Sequence, residues 1–332
     1  MEPQPPIVDI DGLVDGDRHA LERVAKEIEE PCRDWGAFQI VGHGLAESRL
    51  DTLSDAIRRF FALPDELKNT VRRSRDNARG YYDDELTKNR PDWKEVFDYG
   101  AERPGAPAPG DAGVDHSDGV NQWPEGAPEL RRRLLEHFED CERLGLALLR
   151  ALCVSLGSAA STLDAAFADH SSFVRLNRYP PCPDPAPADS AFFPEKGHLG
   201  VHHHTDAGAL TIVHQDEVGG LQILRDGRFV TVAPVRGALV VHLADMLQVW
   251  SNDRFRSPMH RVLTHRERER LSAPFFLNPS YSTVCEPLPA LVAGDTRPHY
   301  RPVSWAHFRD QRSAGDYADY GAEIQIEQFR ID

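Results

Sequence analysis

Residues 200–211 read GVHHHTDAGALT, which places three histidines and an aspartate within five positions. Imidazoles and a carboxylate are metal donors, but these four cannot all serve one ion. On a strand, side chains two apart share a face. His202, His204 and Asp206 are therefore expected to point one way, and His203 and Thr205 the other. Two donor pairs follow, His202 with His204 or His204 with Asp206. A ferrous ion that must also bind substrate and dioxygen needs two neutral imidazoles and one carboxylate on one face of its octahedron, with the rest open. That favours His204 and Asp206, with a third histidine from elsewhere. His260, in RSPMHRVLTH, opens a β-like segment far along the chain and is the best candidate; His242 and His265 compete. His242 lies in the apolar run VVHLAD, where a histidine is more often a satisfied core residue. His265 falls where a hairpin turn is expected.

Arg270 and Ser272 follow His260 across the charged turn THRERE. Residues 258–264 and 270–277 are expected to form the two arms of a hairpin. Arg270 and Ser272 then share a face of an otherwise apolar strand, where an unpaired guanidinium is costly. A bound dicarboxylate could supply the missing partner through a bidentate fork, with the Ser272 hydroxyl on the same group. The alternatives are an internal Asp or Glu, or an edge strand with Arg270 in water. RLNRYPPC shows the same parity: Asn177 and Tyr179 share a face just before a Pro-rich break.

These residues need a scaffold. The chain has 332 residues, 40% of them hydrophobic, so it can bury a substantial core as one large domain or two modest ones. The net charge of −15 disfavours a nucleic-acid surface, and the basic cluster RRSR at 72–75 reads as a solvated face. No apolar run approaches the roughly 20 residues of a membrane helix. The N-terminus, MEPQPPIVDIDGL, lacks the pattern of a secretory signal. Five scattered cysteines, with no CxxC, point away from a disulfide framework or thiolate zinc site and toward a reduced, cytoplasmic setting.

The first 160 residues read mainly as helices. Leu21, Val24, Ala25 and Ile28 recur at helical spacing, as do Leu50, Leu53, Ile57 and Phe60 or Phe61 ahead of Pro64. The longest helix is expected over 128–156, with a stripe from Leu130 to Leu152 suited to packing across a sheet. AFQIVGHGL is strand-like, and 101–127 reads as an irregular loop. Beyond about residue 170, short β-rich segments alternate with turn signals too short to hold helices, which indicates an all-β barrel or sandwich. VSWAHFRDQRSAGDYADY reads as a closing helix. The expected organisation is a largely helical region, 1–165, packed on a β domain, 166–332, as one catalytic unit.

NRYPPC, HTDAGALTIVHQDEVGGLQI, VWSNDRFRSPMHRV and RLSAPFF occur in that order. Together with PIVDIDGL, CRDWGAFQIVGHGL and RGYYDDELTKNRPDWKEVFDYG, they resemble the isopenicillin N synthase-like branch of iron(II)- and 2-oxoglutarate-dependent dioxygenases, plant-type small-molecule hydroxylases above all. The resemblance spans nearly the whole chain. It implies a mainly β fold, a double-stranded β-helix (jelly roll) with helical flanks. It implies iron held by His204, Asp206 and His260, and 2-oxoglutarate held at its distal carboxylate by Arg270 and Ser272 with Tyr179 and Asn177. Phe276, Asn278 and Tyr81 match substrate-contact positions, and His202, outside the motif, could face the same cavity. The implied reaction consumes dioxygen, releases succinate and carbon dioxide, and hydroxylates, desaturates or cyclises a small molecule of secondary metabolism. No nucleic-acid, membrane or protein partner is implied. Rival expectations are an iron oxidase of this scaffold that does not use 2-oxoglutarate, and a non-catalytic small-ligand binder.

Overall fold

The computed structural model describes residues 3–74, 77–102, 119–293, 297–317 and 323–331. The strands, in chain order, are β1 (Ile7–Asp9), β2 (Ala37–Val41), β3 (Gly80–Tyr82), β4 (Leu86–Thr87), β5 (Arg90–Pro91), β6 (Glu95–Gly100), β7 (Phe173–Tyr179), β8 (Leu199–His204), β9 (Leu210–Gln215), β10 (Leu221–Arg225), β11 (Arg228–Thr231), β12 (Leu239–Leu243), β13 (His260–Leu263) and β14 (Arg270–Leu277). The helices are α1 (Arg18–Glu27), α2 (Glu29–Asp34), α3 (Glu47–Phe61), α4 (Asp65–Asn69), α5 (Pro128–Ser155), α6 (Asp245–Trp250) and α7 (Trp305–Tyr317).

Two sheets carry the jelly roll. The larger runs β1-β2-β12-β9-β14-β7-β6-β3, and the smaller runs β11-β10-β13-β8. All pairings are antiparallel except β1 with β2. The period of two sorts the residues of the large sheet. On β14, Arg270, Ser272, Pro274 and Phe276 face the cavity between the sheets, while Leu271, Ala273, Phe275 and Leu277 join the main apolar core. On β7, Phe173, Arg175, Asn177 and Tyr179 face the cavity; Val174 and Leu176 lie in that core. The main core packs the back of the sheet against α1, α3 and α5, with Phe275 edge-on to Phe138 of α5 at 5.3 Å between centroids. A second apolar cluster, with Val201, Val213, Leu221, Ile223, Val240 and Val262, fills part of the barrel interior.

The N-terminal residues do more than pack helices on a β domain. They add β1 and β2 beyond β12, and β6 and β3 beyond β7, so they extend the large sheet at both ends. AFQIV was legible as a strand, but β1, β3 and β6 are short or mixed in pattern, and the pairings that join these strands to the core, β2 with β12 and β6 with β7, span more than 70 residues, so local periodicity did not reveal the extension. The long helix matches its expected span within a residue. The first expected helix is divided at Ile28, because Pro31 has no N–H to bond back to Glu27. Of the expected loop at 101–127, residues 103–118 lie outside the described residues.

The expected hairpin over 258–264 and 270–277 does not form. β13 pairs with β8 and β10 in the small sheet, while β14 pairs with β7 and β9 in the large one. The charged turn between them is a crossover, which puts His260 and Arg270 on opposite walls of one cavity. His265 sits in that turn and accepts backbone N–H bonds from Glu267 and Arg268 at Nδ1.

Two buried histidines behind the large sheet make stability pH-dependent. Burial holds His137 of α5 down to about 3, with His214 a further cause, and burial holds His214 of β9 down to about 4. His214 Nε2 lies 2.8 Å from Ser54 Oγ. Both rings stay neutral when folded, whereas in the unfolded chain they take up protons below about pH 6.5. The unfolded state then binds more protons, so stability is complete above that pH and falls as pH drops toward 4. The slope is up to about 1.4 kcal/mol per pH unit for each ring. Urea denaturation of the wild type from pH 7 to 5 should show this loss, and His214→Gln should flatten it; equal slopes would remove His214 from the account.

Candidate active site

His204 and His260 sit directly opposite each other on β8 and β13, with ring centroids 4.2 Å apart. Asp206 lies two residues past His204, where the chain leaves the strand. Its Oδ1 is 3.6 Å from Nε2 of each histidine, and one donor atom from each of the three residues falls within 4.8 Å of the others. Both imidazoles have their other nitrogen committed. His204 Nδ1 donates to the His202 carbonyl at 2.8 Å, and His260 Nδ1 to the Pro258 carbonyl at 3.0 Å. Those bonds select the tautomer whose Nε2 lone pair points at the shared centre. Burial, with His260 beside it, pushes the His204 ring well below the usual histidine range, so it is a neutral donor. Thr211 donates to Asp206 Oδ2 at 2.5 Å, which leaves Oδ1 to face the histidines. Two imidazole nitrogens and one carboxylate oxygen, each oriented from behind, fit a ferrous ion.

The loop after His204 is tied down on several sides. The Asp245 N–H donates to the Asp206 carbonyl at 2.9 Å. The Asp245 carboxylate accepts from Thr205 Oγ1 and from Arg312 of α7. A side chain at position 208 would strike Asn278 Oδ1 at 2.1 Å and the Leu277 carbonyl at 2.7 Å, so this close approach requires glycine.

Arg270 is buried at another wall of the same cavity. Its Nη1 donates to Ser272 Oγ at 3.1 Å and its Nη2 to Gln215 Oε1 at 3.3 Å. Its guanidinium lies 4.8 Å from the Tyr179 ring centroid. Among the described residues no carboxylate comes within 4 Å of it, and its Nε, Gln215 Nε2 and Asn177 Oδ1 are buried without hydrogen-bond partners. A buried cation with unused donors and a free serine O–H beside it suits one carboxylate group. Ser272 pairs with Asn177, and Arg270 with Tyr179, across β14 and β7, so the four residues form one patch. The alternatives of an internal acid partner and a solvated edge do not occur.

The cavity brings together His204, Asp206, His260, Arg270, Ser272, Tyr179, Asn177, Phe276 and Asn278. Two expected residues are absent from it. Tyr81 lies buried elsewhere with its hydroxyl on Glu95 Oε2. His202 does not share a face with His204. β13 steps from His260 to Val262 while β8 steps from His204 back to Val201, so β8 carries an extra residue there. The resulting bulge breaks the alternation. His202 bonds Asp92 Oδ1 through Nδ1 at 2.9 Å, and His203 packs edge-on between Phe192 and Phe193.

His242 departs from its expected satisfied state. It lines the cavity, meets the His260 ring at 4.6 Å, and has neither nitrogen hydrogen-bonded. Residues that local reading missed include Thr211 and Asp245, which orient the metal-donor loop. They also include Lys94, Arg175, Phe173, Arg309 and Arg312, which line the cavity. For Phe173 and Arg175 the parity already noted for Asn177 and Tyr179 was the usable signal.

A family model described as the 2OG-Fe(II) oxygenase superfamily matches residues 170–279, and one described as the non-haem dioxygenase in morphine synthesis N-terminal matches residues 5–126. Gibberellin 20 oxidase 2 of Oryza sativa subsp. indica is 36% identical over 309 residues, covering 91% of this chain and 73% of its own. The 2-oxoglutarate-Fe(II) type oxidoreductase hxnY of Emericella nidulans is 33% identical over 313 residues, covering 90% and 86%. The solved structure of JOX2 in complex with 2OG, Fe and JA superposes with a TM-score of 0.78 at 26% identity, covering 99% of this chain and 90% of that one.

Removing the hydroxyl behind Asp206 isolates its orienting role. Thr211→Val is expected to weaken iron(II) binding about 10- to 100-fold, as loss of such supporting bonds typically does. Thr211→Ser should restore it. Anaerobic iron(II) titration checks this, and unchanged affinity in Thr211→Val would mean that Asp206 does not depend on the bond.

Proposed function

The chain belongs to the 2OG-Fe(II) oxygenase superfamily and is an iron(II)- and 2-oxoglutarate-dependent oxygenase acting on a small molecule; from that premise we propose the residue roles and reaction type. His204, Asp206 and His260 would hold the iron, and Arg270 with Ser272 would hold the distal carboxylate of 2-oxoglutarate, with Tyr179 and Asn177 completing its seat. The observation that carries this reading is the pairing, in one cavity, of three converging donors with a buried guanidinium that has no carboxylate among the described residues. When bound, iron(II) with dioxygen and 2-oxoglutarate supplies an oxidative decarboxylation that releases succinate and carbon dioxide and oxidises a substrate C–H bond.

The chain's own contribution is positional. The two Nδ1–H bonds keep both imidazoles aimed, with Nε2 toward the shared centre. Thr211 fixes which carboxylate oxygen of Asp206 faces the centre. Arg270 and Ser272 set the direction from which the cosubstrate reaches the metal, and the Tyr179 ring beneath the guanidinium excludes water from that end. Phe173 and Phe276, stacked at 4.7 Å, offer an apolar surface for the substrate, with Asn278 beside them. Hydroxylation, desaturation or cyclisation of a secondary metabolite is the reaction type we assign. Residues 1–165 and 166–332 act as one catalytic unit in this reading, which is supported by Glu85, Leu86, Thr87, Lys88 and Lys94 lining the same cavity as the β domain. Among the described residues no helix is long and apolar enough to cross a membrane. A cytoplasmic setting is supported by five free, buried cysteines.

Arg270→Ala should raise the 2-oxoglutarate requirement by roughly 30- to 900-fold, the equivalent of about 2–4 kcal/mol for losing a charge-assisted contact to a buried group. Arg270→Lys should recover only part of it, because an ammonium cannot make the planar two-point contact. Steady-state succinate formation against 2-oxoglutarate concentration measures this, and an unchanged requirement would refute the assignment. His204→Ala and Asp206→Ala should each abolish iron-dependent succinate release, while His203→Ala, whose ring lies between two phenylalanines, should retain it. Equal loss in all three would put the metal-donor set in error.

A further inference from the structure

The substrate side of the cavity carries an imbalance that the iron and 2-oxoglutarate roles do not use. Besides Arg270, five cations line the cavity: Lys88, Lys94, Arg175, Arg309 and Arg312. Four of them have carboxylates. Lys88 pairs with Glu323 at 3.3 Å, and Arg312 with Asp245 at 2.8 Å and Glu323 at 2.9 Å. Arg175 pairs with Asp98 at 2.9 Å and with Glu85; Lys94 pairs with Glu85 and, at 3.7 Å, with Asp92. Arg309, on α7, has no carboxylate within 4 Å among the described residues.

Its surroundings are apolar and cationic. The Arg309 guanidinium lies 5.4 Å from the centroid of Phe173, the ring stacked on Phe276. Two more guanidinium groups approach the same ring, Arg79 at 4.8 Å and Arg175 at 5.8 Å. The acids that pair with the other cations leave Arg309 as the one cavity-lining cation, besides Arg270, with no carboxylate within 4 Å among the described residues. A neutral substrate would leave Arg309 half-buried and unpaired, whereas an acid would complete it.

We propose that the substrate is a small organic acid with an apolar or aromatic skeleton, its skeleton against Phe173 and Phe276 and its carboxylate on Arg309, which makes Arg309 a specificity-determining residue. The inference rests on the oxygenase reading above and names the substrate class for the same site.

Matched probes test it. Naphthalene-2-acetate and 3-cyclohexylpropanoate, each with its methyl ester and primary amide, are titrated calorimetrically into the protein loaded anaerobically with iron(II) and 2-oxoglutarate. The wild type should bind the acids at least tenfold more tightly than their neutral partners. Arg309→Gln should abolish that preference while leaving affinity for the neutral probes unchanged, which also reports an intact cavity. Arg309→Lys should keep part of the preference. Equal binding of acids and neutral partners by the wild type, no binding of either acid at millimolar concentration, or a full acid preference in Arg309→Gln would each overturn the proposal. The parent reading fails separately: the wild type would then give no visible charge-transfer band on adding iron(II) and 2-oxoglutarate. An intact band without acid preference sinks the substrate class alone.

Discussion

The site depends on one cross-strand pair. β8 and β13 run antiparallel with His204 opposite His260, and only that register brings two imidazoles from residues 56 apart in the chain within 4.2 Å. The extra residue in β8 just before His204 makes the register possible without carrying His202 into the same space. Where a regular strand would offer two histidines from one side, the bulge offers one, and the second comes from the facing strand. Asp206, already past the strand end, then has room to approach both. Each of the three donors is anchored through an atom that does not face the centre.

The large sheet supplies the second constraint. Its period of two divides every strand between a helix-packed back and a cavity-facing front, and the front is where polar groups collect. Arg270 is tolerated there because Ser272, Gln215 and the Tyr179 ring partly solvate it, while its remaining donors face the cavity. The crossover from β13 to β14 is as important as either strand. A hairpin would have placed His260 and Arg270 side by side in one sheet; the crossover sets them on different walls, with space between for a molecule that touches both.

Segments outside the β core provide the rest of the chamber. Glu85, β4, Lys88 and Lys94 reach it from the N-terminal half, and α7 reaches it from the C-terminal end through Trp305, Arg309 and Arg312. Arg312 and Asp245 connect α7 to the loop that carries Asp206, so the helix and the metal-donor loop share one ion pair. The sheets build the walls near the metal donors and Arg270 and also carry the stacked Phe173 and Phe276, while these additions bring Arg309 and the remaining charged groups to the cavity.

Much of the site was legible from the chain alone. The donor types at 204, 206 and 260 follow from side-chain chemistry, and the shared faces of Arg270 with Ser272 and of Asn177 with Tyr179 from strand alternation, which are local properties. The long amphipathic helix was equally plain, since its stripe repeats within a single element. What only the tertiary structure decided depends on partners distant in sequence. It decided which sheet each strand joins, where β8 bulges, that His242 faces the cavity without a hydrogen bond, that Tyr81 and His202 lie outside it, and which cations find acids. A residue's face can be counted along a strand, but pairing, register breaks and ion pairing are set by contacts across the fold, and no local period encodes them.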